Sequence, residues 1–160
     1  MFRDMRREKQ ALSREAAIEI LERNTAGVLA VFGDEDYPYA VPLSYVFADS
    51  KIYFQCAKVG HKIDGILKSD KVSFCVIDQD LVVPEEYTTY YRSVIVFGRA
   101  KILEGEAKRV PLEKLGDKYH PDHIEQTRRT VERSFQNVCL VELTIEHLTG
   151  KEAVELAAKA

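Results

Sequence analysis

From Thr25 onward the apolar residues fall into six separated runs, most of them with a two-residue period, and this alternation limits the fold more than any other feature. Residues at i and i+2 point to one face of a strand, so such runs build sheet rather than helix. The first two are "TAGVLAVFG" (25–33) and "YPYAVPLSYVF" (37–47), separated by the acidic turn "DED", and they read as a hairpin. A second turn, "ADS", leads into "KIYFQCA" (51–57), where Ile52 and Phe54 alternate with Tyr53 and Gln55. These three strands are expected to form a meander.

The fourth run, "KVSFCVID" (71–78), follows a short helix in "HKIDGILKSD", whose Ile63, Ile66 and Leu67 share a face. Residues 79–89 break the pattern with charge and Pro84, which predicts an excursion before the long strand "YYRSVIVFGRAKILE" (90–104). Gly98 inside that strand predicts a bulge or a close approach by another group. The last run is "NVCLVELTIEHL" (137–148).

Helical periods lie outside these runs. Ser13 can cap a helix reaching about Asn24, with Ala17, Ile18, Ile20 and Leu21 as its apolar face. Ala107 to Tyr119 is helical in pattern, with Pro111 either kinking it or marking its true first turn. "DHIEQTRRTVERS" reads as a polar helix, and a small helix or tail closes the chain. Six mostly antiparallel strands with little sign of parallel crossovers predict a mostly β fold with flanking helices, a small closed or split antiparallel barrel. A chain of 160 residues suits one domain over 1–160.

The net charge of −3 offers no basic field for nucleic acid or for an acidic membrane surface, so an anion site would have to be local. "MFRDMRREKQ" lacks the apolar core of a secretory signal, and no segment approaches the roughly 18 apolar residues of a membrane span. The expectation is a soluble cytoplasmic protein. Cys56, Cys75 and Cys139 are odd in number and each lies in an apolar run, as buried free thiols do. Metal binding would need Cys56 with His61, or His120 with His123, and neither has the spacing of a zinc motif.

"YFQCAKVGHKID" (53–64) carries the clearest chemistry. A strand that passes through a glycine into a helix start leaves backbone N–H groups and the positive end of the helix dipole at one spot, and Lys58, His61 and Lys62 add cations. A phosphate monoester is the natural guest; a solvated surface turn is the alternative. In "YPYAVPLSY", Pro38 and Pro42 prevent full pairing on both sides, leaving an edge for a ligand, for a second subunit or for solvent. In "YYRSVIVFG", Arg92 and Ser93 interrupt an apolar strand: Ser93 can donate to a ligand, and Arg92 can bind phosphate or pair with Glu85 or Glu86. No nucleophile-and-base signature and no nucleotide-binding glycine motif is present, so any redox chemistry would belong to a cofactor.

In order and spacing, "YPYAVPLSY", "KIYFQCAKVGHKIDGI", "YYRSVIVFGRAKILE" and the late "TGKEA" resemble the pyridoxamine 5'-phosphate oxidase-like FMN-binding split-barrel family, most of all its nitroimidazole-resistance (Nim-type) branch. The resemblance runs from about Arg14 to Ala153. It implies a six-stranded split barrel working as a homodimer, with FMN in clefts between subunits and a small-molecule substrate. By position it implies that Pro42, Leu43 and Ser44 line the flavin ring, Ala57 and Lys58 the ribityl chain, and His61 and Lys62 the phosphate. Tyr45, Gln55 and Cys56 flank these in the same cofactor-binding set, and Ser93 and Val94 approach from the same or the other subunit. Gln55 stands where branch members often carry a histidine, and the ending "ELTIEHLTGKEAVELAAKA" lacks the Arg/His motif of true pyridoxamine-phosphate oxidases. The activity implied is FMN-dependent electron transfer to a small electrophile such as a nitroaromatic, with a non-catalytic flavin carrier or sensor as the alternative. Tyr45, Gln55 and His61 are the side chains to test for a catalytic role.

Overall fold

A computed structural model describes residues 1–159. Helix α1, Arg14–Arg23, is capped as expected: the Ser13 hydroxyl accepts the Ala16 N–H at 3.1 Å, and Ala17, Ile20 and Leu21 are buried. The strands are β1 Ala26–Phe32, β2 Pro38–Ser44, β3 Val46–Ala48, β4 Lys51–Cys56, β5 Lys71–Val83, β6 Thr88–Leu103 and β7 Cys139–Glu152. The other helices are α2 His61–Lys68, α3 Arg109–Tyr119, α4 Ile124–Ser134 and the short α5 Val154–Ala157. All seven strands lie in one antiparallel sheet in the order β2-β1-β5-β6-β7-β4-β3.

The mostly β antiparallel fold is as read from the sequence, with seven strands where six were expected. The extra strand arises at Tyr45, where the run 37–47 breaks. Tyr45 is wholly buried and pinned from three sides: its N–H donates to the Thr25 carbonyl at 3.3 Å and to the Tyr119 hydroxyl at 3.0 Å, and its own hydroxyl donates to the Leu21 carbonyl at 2.6 Å. A residue held against α1 and α3 cannot continue a ladder, so β2 and β3 separate. The meander expected of the first three strands therefore does not form. β2 pairs only with β1, whereas β4 pairs with β3 and β7. The two ends of the sheet are joined covalently through the single residue Tyr45, so the sheet must curl upon itself, leaving a split between β2 and β4.

Residues 79–89 are a correction. They do not leave the sheet but continue it as a ribbon, with Gln79 opposite Arg92 and Val83 opposite Thr88. The turn is Pro84–Glu86, closed by Tyr87 at φ 52°. Beyond Ile77 the ribbon buries little, so charge replaces apolar residues and the alternation fades although the pairing persists. Gly98 does mark both a bulge and a close approach: the β6–β7 register shifts between Phe97 and Gly98, and a Cβ there would sit 2.2 Å from the Thr144 carbonyl oxygen.

Two apolar layers hold the sheet. Its concave side buries Leu29, Phe54, Phe74, Val76, Val96 and Val141 beneath α1 and α2. Fully burying side chains of this size contributes roughly 1.5–3 kcal/mol each. On the other side of β4 and β7, α3 and α4 cover Leu103, Leu112, Leu115, Val131, Phe135 and Leu140. Pro111 lies in the first turn of α3, where its missing N–H costs no helical bond. Over β1, β5 and β6 the outer face carries no helix, and Val28, Phe32, Ile77, Ile95 and Phe97 stand exposed on it. Among the described residues no helix is long and apolar enough to cross a membrane.

Candidate cofactor site

Part of the predicted set lies on the strands and the connection that border the split: Pro42, Leu43 and Ser44 on or at the end of β2, and Cys56 to Lys62 from the end of β4 into α2. β4 ends at Cys56; Ala57, Lys58, Val59 and Gly60 follow as an exposed connection, and α2 begins at His61. Gly60 has φ 137°, a conformation L side chains rarely adopt, and it turns the chain abruptly from strand to helix. Its carbonyl accepts the N–H groups of both Ile63 and Asp64, at 2.9 and 3.0 Å. The His61 and Lys62 N–H groups have no such acceptor among the described residues, and no side chain caps them. They point outward with the positive end of the helix.

Lys62 is half-buried, and no carboxylate among the described residues pairs with it. Its positive charge is near enough to the Cys56 thiol to favour the thiolate there. A cation with no carboxylate partner at an uncapped helix start is available to an anionic ligand. Lys58 is less free, because its Nζ donates to the Gln136 carbonyl at 2.8 Å.

His61 is held by the β1–β2 hairpin. Its ring stacks on Tyr39 with centroids 4.0 Å apart, and Nε2 accepts the Asp34 N–H at 3.2 Å. A neutral imidazole accepting at Nε2 carries its proton on Nδ1, which leaves Nδ1–H as the donor available to a phosphate. Tyr39 and Asp34 were not singled out in the sequence. The period-two pattern of β2, which sets Tyr39 on the face opposite Pro38, was the signal available for Tyr39.

Along β2, Pro38, Pro42 and Ser44 are exposed while Tyr39 and Leu43 turn inward and are half-buried. β2 is thus the proline-marked edge strand anticipated. Gln55 is exposed on the face of β4 that carries Tyr53, opposite the face of Cys56. Tyr45 does not belong to the cleft: it is part of the core, and burial, followed by Tyr119, drives its hydroxyl pKa upward beyond ordinary titration. It is unsuited to proton transfer.

Ser93 and Val94 are not brought to the cleft of their own chain. On β6 they are separated from β2 by β1 and β5, and from β4 by β7. Val94 is wholly buried, so its side chain cannot touch a ligand. Ser93 is half-exposed and shares the outer face of the sheet with Ile95 and Phe97. Arg92 pairs with Glu152 at 3.0 Å rather than with Glu85 or Glu86, because β7 lies beside it and the Pro84 turn does not. Of the three thiols, Cys139 is buried, whereas Cys56 and Cys75 are half-buried. Among the described residues no three His, Cys, Asp or Glu side chains converge on a point that could hold a metal ion.

A separate concavity of about 680 Å³ lies between the N-terminal Met1 and Phe2 and the outer face of the sheet, near Phe32, Val72, Phe97 and Arg99. None of the predicted site residues lines it.

With this geometry in place, the comparison with family models is decisive: residues 13–152 match the model described as pyridoxamine 5'-phosphate oxidase. The chain belongs to that family. No curated protein matches the sequence. Among solved structures, a proposed 5-nitroimidazole antibiotic resistance protein from Bacteroides thetaiotaomicron is similar, with TM-score 0.75 and 19% identity over 89% of this chain and 86% of that one. A conserved hypothetical protein from Mycobacterium tuberculosis has TM-score 0.81 and 17% identity, covering 96% and 92% of the two chains. A FAD-binding protein from Mesorhizobium loti has TM-score 0.63 and 25% identity, covering 90% and 97%. Likeness at such identities speaks for a shared fold.

Proposed function

We propose that this chain binds a flavin, FMN, at the split between β2 and β4, and that the bound protein is an oxidoreductase acting on a small electrophile. The observation that carries the reading is the half-buried, unpaired Lys62 at an uncapped helix start, beside the strand end that the ribityl chain would follow. Lys62 Nζ, the first N–H groups of α2 and His61 Nδ1–H form a donor set suited to one phosphate. Pro42 and Ser44 on the exposed side of the edge strand support one face of the ring, and Ala57 leaves room for the ribityl chain. Bound FMN would accept a hydride from a reduced nicotinamide or another donor and pass electrons to an acceptor such as a nitroaromatic. The chain's own part is to orient the ring, supply backbone donors and exclude water. The similarity to the Mesorhizobium FAD-binding protein and to the proposed nitroimidazole-resistance protein supports this reading.

The active form is a homodimer. The outer face carries no helix, and beyond the part that Phe2 covers at Phe97, Val28, Ile77 and Ile95 form an apolar surface of the kind that a second copy buries. Pro42 and Ser44 lie at the margin of this face, and Ser93 lies on it, so pairing two faces would bring Ser93 of one copy toward the ring bound by the other.

A non-catalytic flavin carrier or sensor is the second reading. It is favoured by the lack of a poised acid or base: Tyr45 is sealed, Gln55 does not titrate, and His61 Nε2 is occupied.

One preparation separates these readings. Purified protein that is yellow, or becomes so with FMN and remains so after desalting, supports flavin binding; a colourless product sinks both. Anaerobic addition of NADH or NADPH should bleach the flavin, and a nitro compound or quinone should restore it. Flavin that neither donor bleaches would identify a carrier.

A further inference from the structure

Cys56 and Cys139 are directly opposite each other on antiparallel neighbours, β4 and β7. Their side chains therefore share a face, and the Cys139 thiol is close enough to raise the pKa of Cys56. Opposed residues on such a ladder have Cβ atoms about 4.5–5.5 Å apart, against about 3.5–4.5 Å in a disulfide. The gap, about an ångström between the centres of the two ranges, is small enough for local backbone movement to close. Cys56 is the last residue of β4 and Cys139 the first of β7, so each adjoins a connecting segment rather than a continuing ladder. Those segments already touch, through Lys58 Nζ and the Gln136 carbonyl.

We propose that Cys56 and Cys139 form a reversible redox-modification site, a dithiol that low-molecular-weight disulfides convert to an intramolecular bond. The assignment does not depend on flavin binding. Cys56 is half-exposed and Cys139 is 6% exposed, so Cys56 meets the reagent and Cys139 resolves. The Cys56 thiolate attacks one sulfur of RSSR, the reagent's S–S bond breaks, and RS⁻ leaves. Cys139, having given its proton to solvent, attacks the Cys56 sulfur and expels the second RS⁻. The two RS⁻ groups take up the two protons lost by the cysteines, so the protein loses two protons and two electrons and RSSR becomes two RSH.

The bond would fasten the end of β4, and with it the connection into α2, to the start of β7. Burial, and next the Cys139 thiol, push Cys56 up to about 12, while Lys62 pulls it down. The thiolate is the attacking species, so exchange is slow near neutrality and is best followed at about pH 9.

The test is to incubate the intact, folded chain with oxidised glutathione, block free thiols with an alkylating agent in denaturant, and map peptides by mass spectrometry. The expected result is a Cys56–Cys139 linked peptide that dithiothreitol reverses, with no link to Cys75. Cys139→Ala should instead accumulate glutathione on Cys56, because no resolving thiol remains. A wild-type chain that retains glutathione on Cys56 with Cys139 free, or leaves both thiols free while Cys75 is modified, would overturn the proposal. The wild-type map decides even if the variant fails to fold.

Discussion

The His61 ring lies on the Tyr39 ring at 4.0 Å between centroids and 27° between planes. This contact joins the first turn of α2 to the edge strand β2 across 22 positions of sequence, and it sets the proposed phosphate end of the cleft against its ring end. Gly33 makes room for it, since a Cβ there would lie 3.0 Å from both His61 Nε2 and the Tyr39 Cβ, and 2.6 Å from the Tyr37 carbonyl oxygen.

If Lys62 binds the phosphate, Lys62→Ala should weaken FMN far more than riboflavin. A charge-assisted hydrogen bond contributes about 1.5–3 kcal/mol, roughly ten- to a hundredfold or somewhat more in Kd. Fluorescence-quenching titration of both ligands measures the difference. Adding His61→Ala should widen it, at a further cost in stability because the Tyr39 stack is lost. Equal losses for the two ligands would move the phosphate elsewhere.

Gly65 is the point where α2 rests on β1. A Cβ there would sit 2.5 Å from Val31 Cγ2 and 2.9 Å from the Phe32 carbonyl oxygen. Alanine improves helix propensity by about 1 kcal/mol, whereas forcing a methyl into a packed contact costs about 1–3 kcal/mol. Backbone oxygen cannot swing aside as a flexible side chain can, so the steric cost wins. Gly65→Ala should lower the urea midpoint and weaken FMN together; a raised midpoint would mean that α2 is not seated as described.

Tyr45→Phe separates architecture from chemistry. Losing the hydroxyl leaves the Leu21 carbonyl without this buried donor, which should cost about 1–3 kcal/mol in chemical denaturation. Because Tyr45 is enclosed, flavin affinity and the pH profile of any NADH oxidation should stay as in the parent protein. A changed pH profile would return Tyr45 to the active site.

Asp78 should contribute to an acid limb in stability. Hydrogen bonds from Arg23 hold its carboxyl below the usual carboxylate range, against the opposing effect of burial, with Asn24 adding to the lowering. A carboxyl depressed in the folded state stabilises above its unfolded pKa, and the benefit is lost as pH falls through the folded value. Asp78→Asn should therefore cost about 1 kcal/mol at neutral pH, the small figure reflecting solvent screening of the half-exposed Arg23. It should also flatten the decline below about pH 4. An unchanged acid limb in thermal melts from pH 7 downward would refute this.

Much of the cleft was legible before folding, because the signals were local. Gly60 before His61 marks a strand-to-helix turn in any context, and Pro38 with Pro42 marks an edge. Ser13 as a cap, Gly98 as a bulge and Pro111 in a first turn are equally short-range. The misreadings share a different cause. Residues 79–89 lost their alternation because a ribbon with little buried surface does not require it, and Arg92 was paired with acids near in sequence when the strand beside it supplied Glu152.

Period and punctuation alone therefore determined that this chain builds an antiparallel sheet with flanking helices and a cationic turn at its centre. Only the tertiary structure decided that Tyr45 breaks a strand, that β2 and β4 face each other across a split, and that Ser93 lies away from its own cleft. Those outcomes depend on hydrogen bonds and packing between distant segments: Leu21, Thr25 and Tyr119 converge on Tyr45, and no local pattern encodes their meeting. Strand periodicity says which face of a residue is buried; which strand lies beside it is settled by what the whole sheet must enclose.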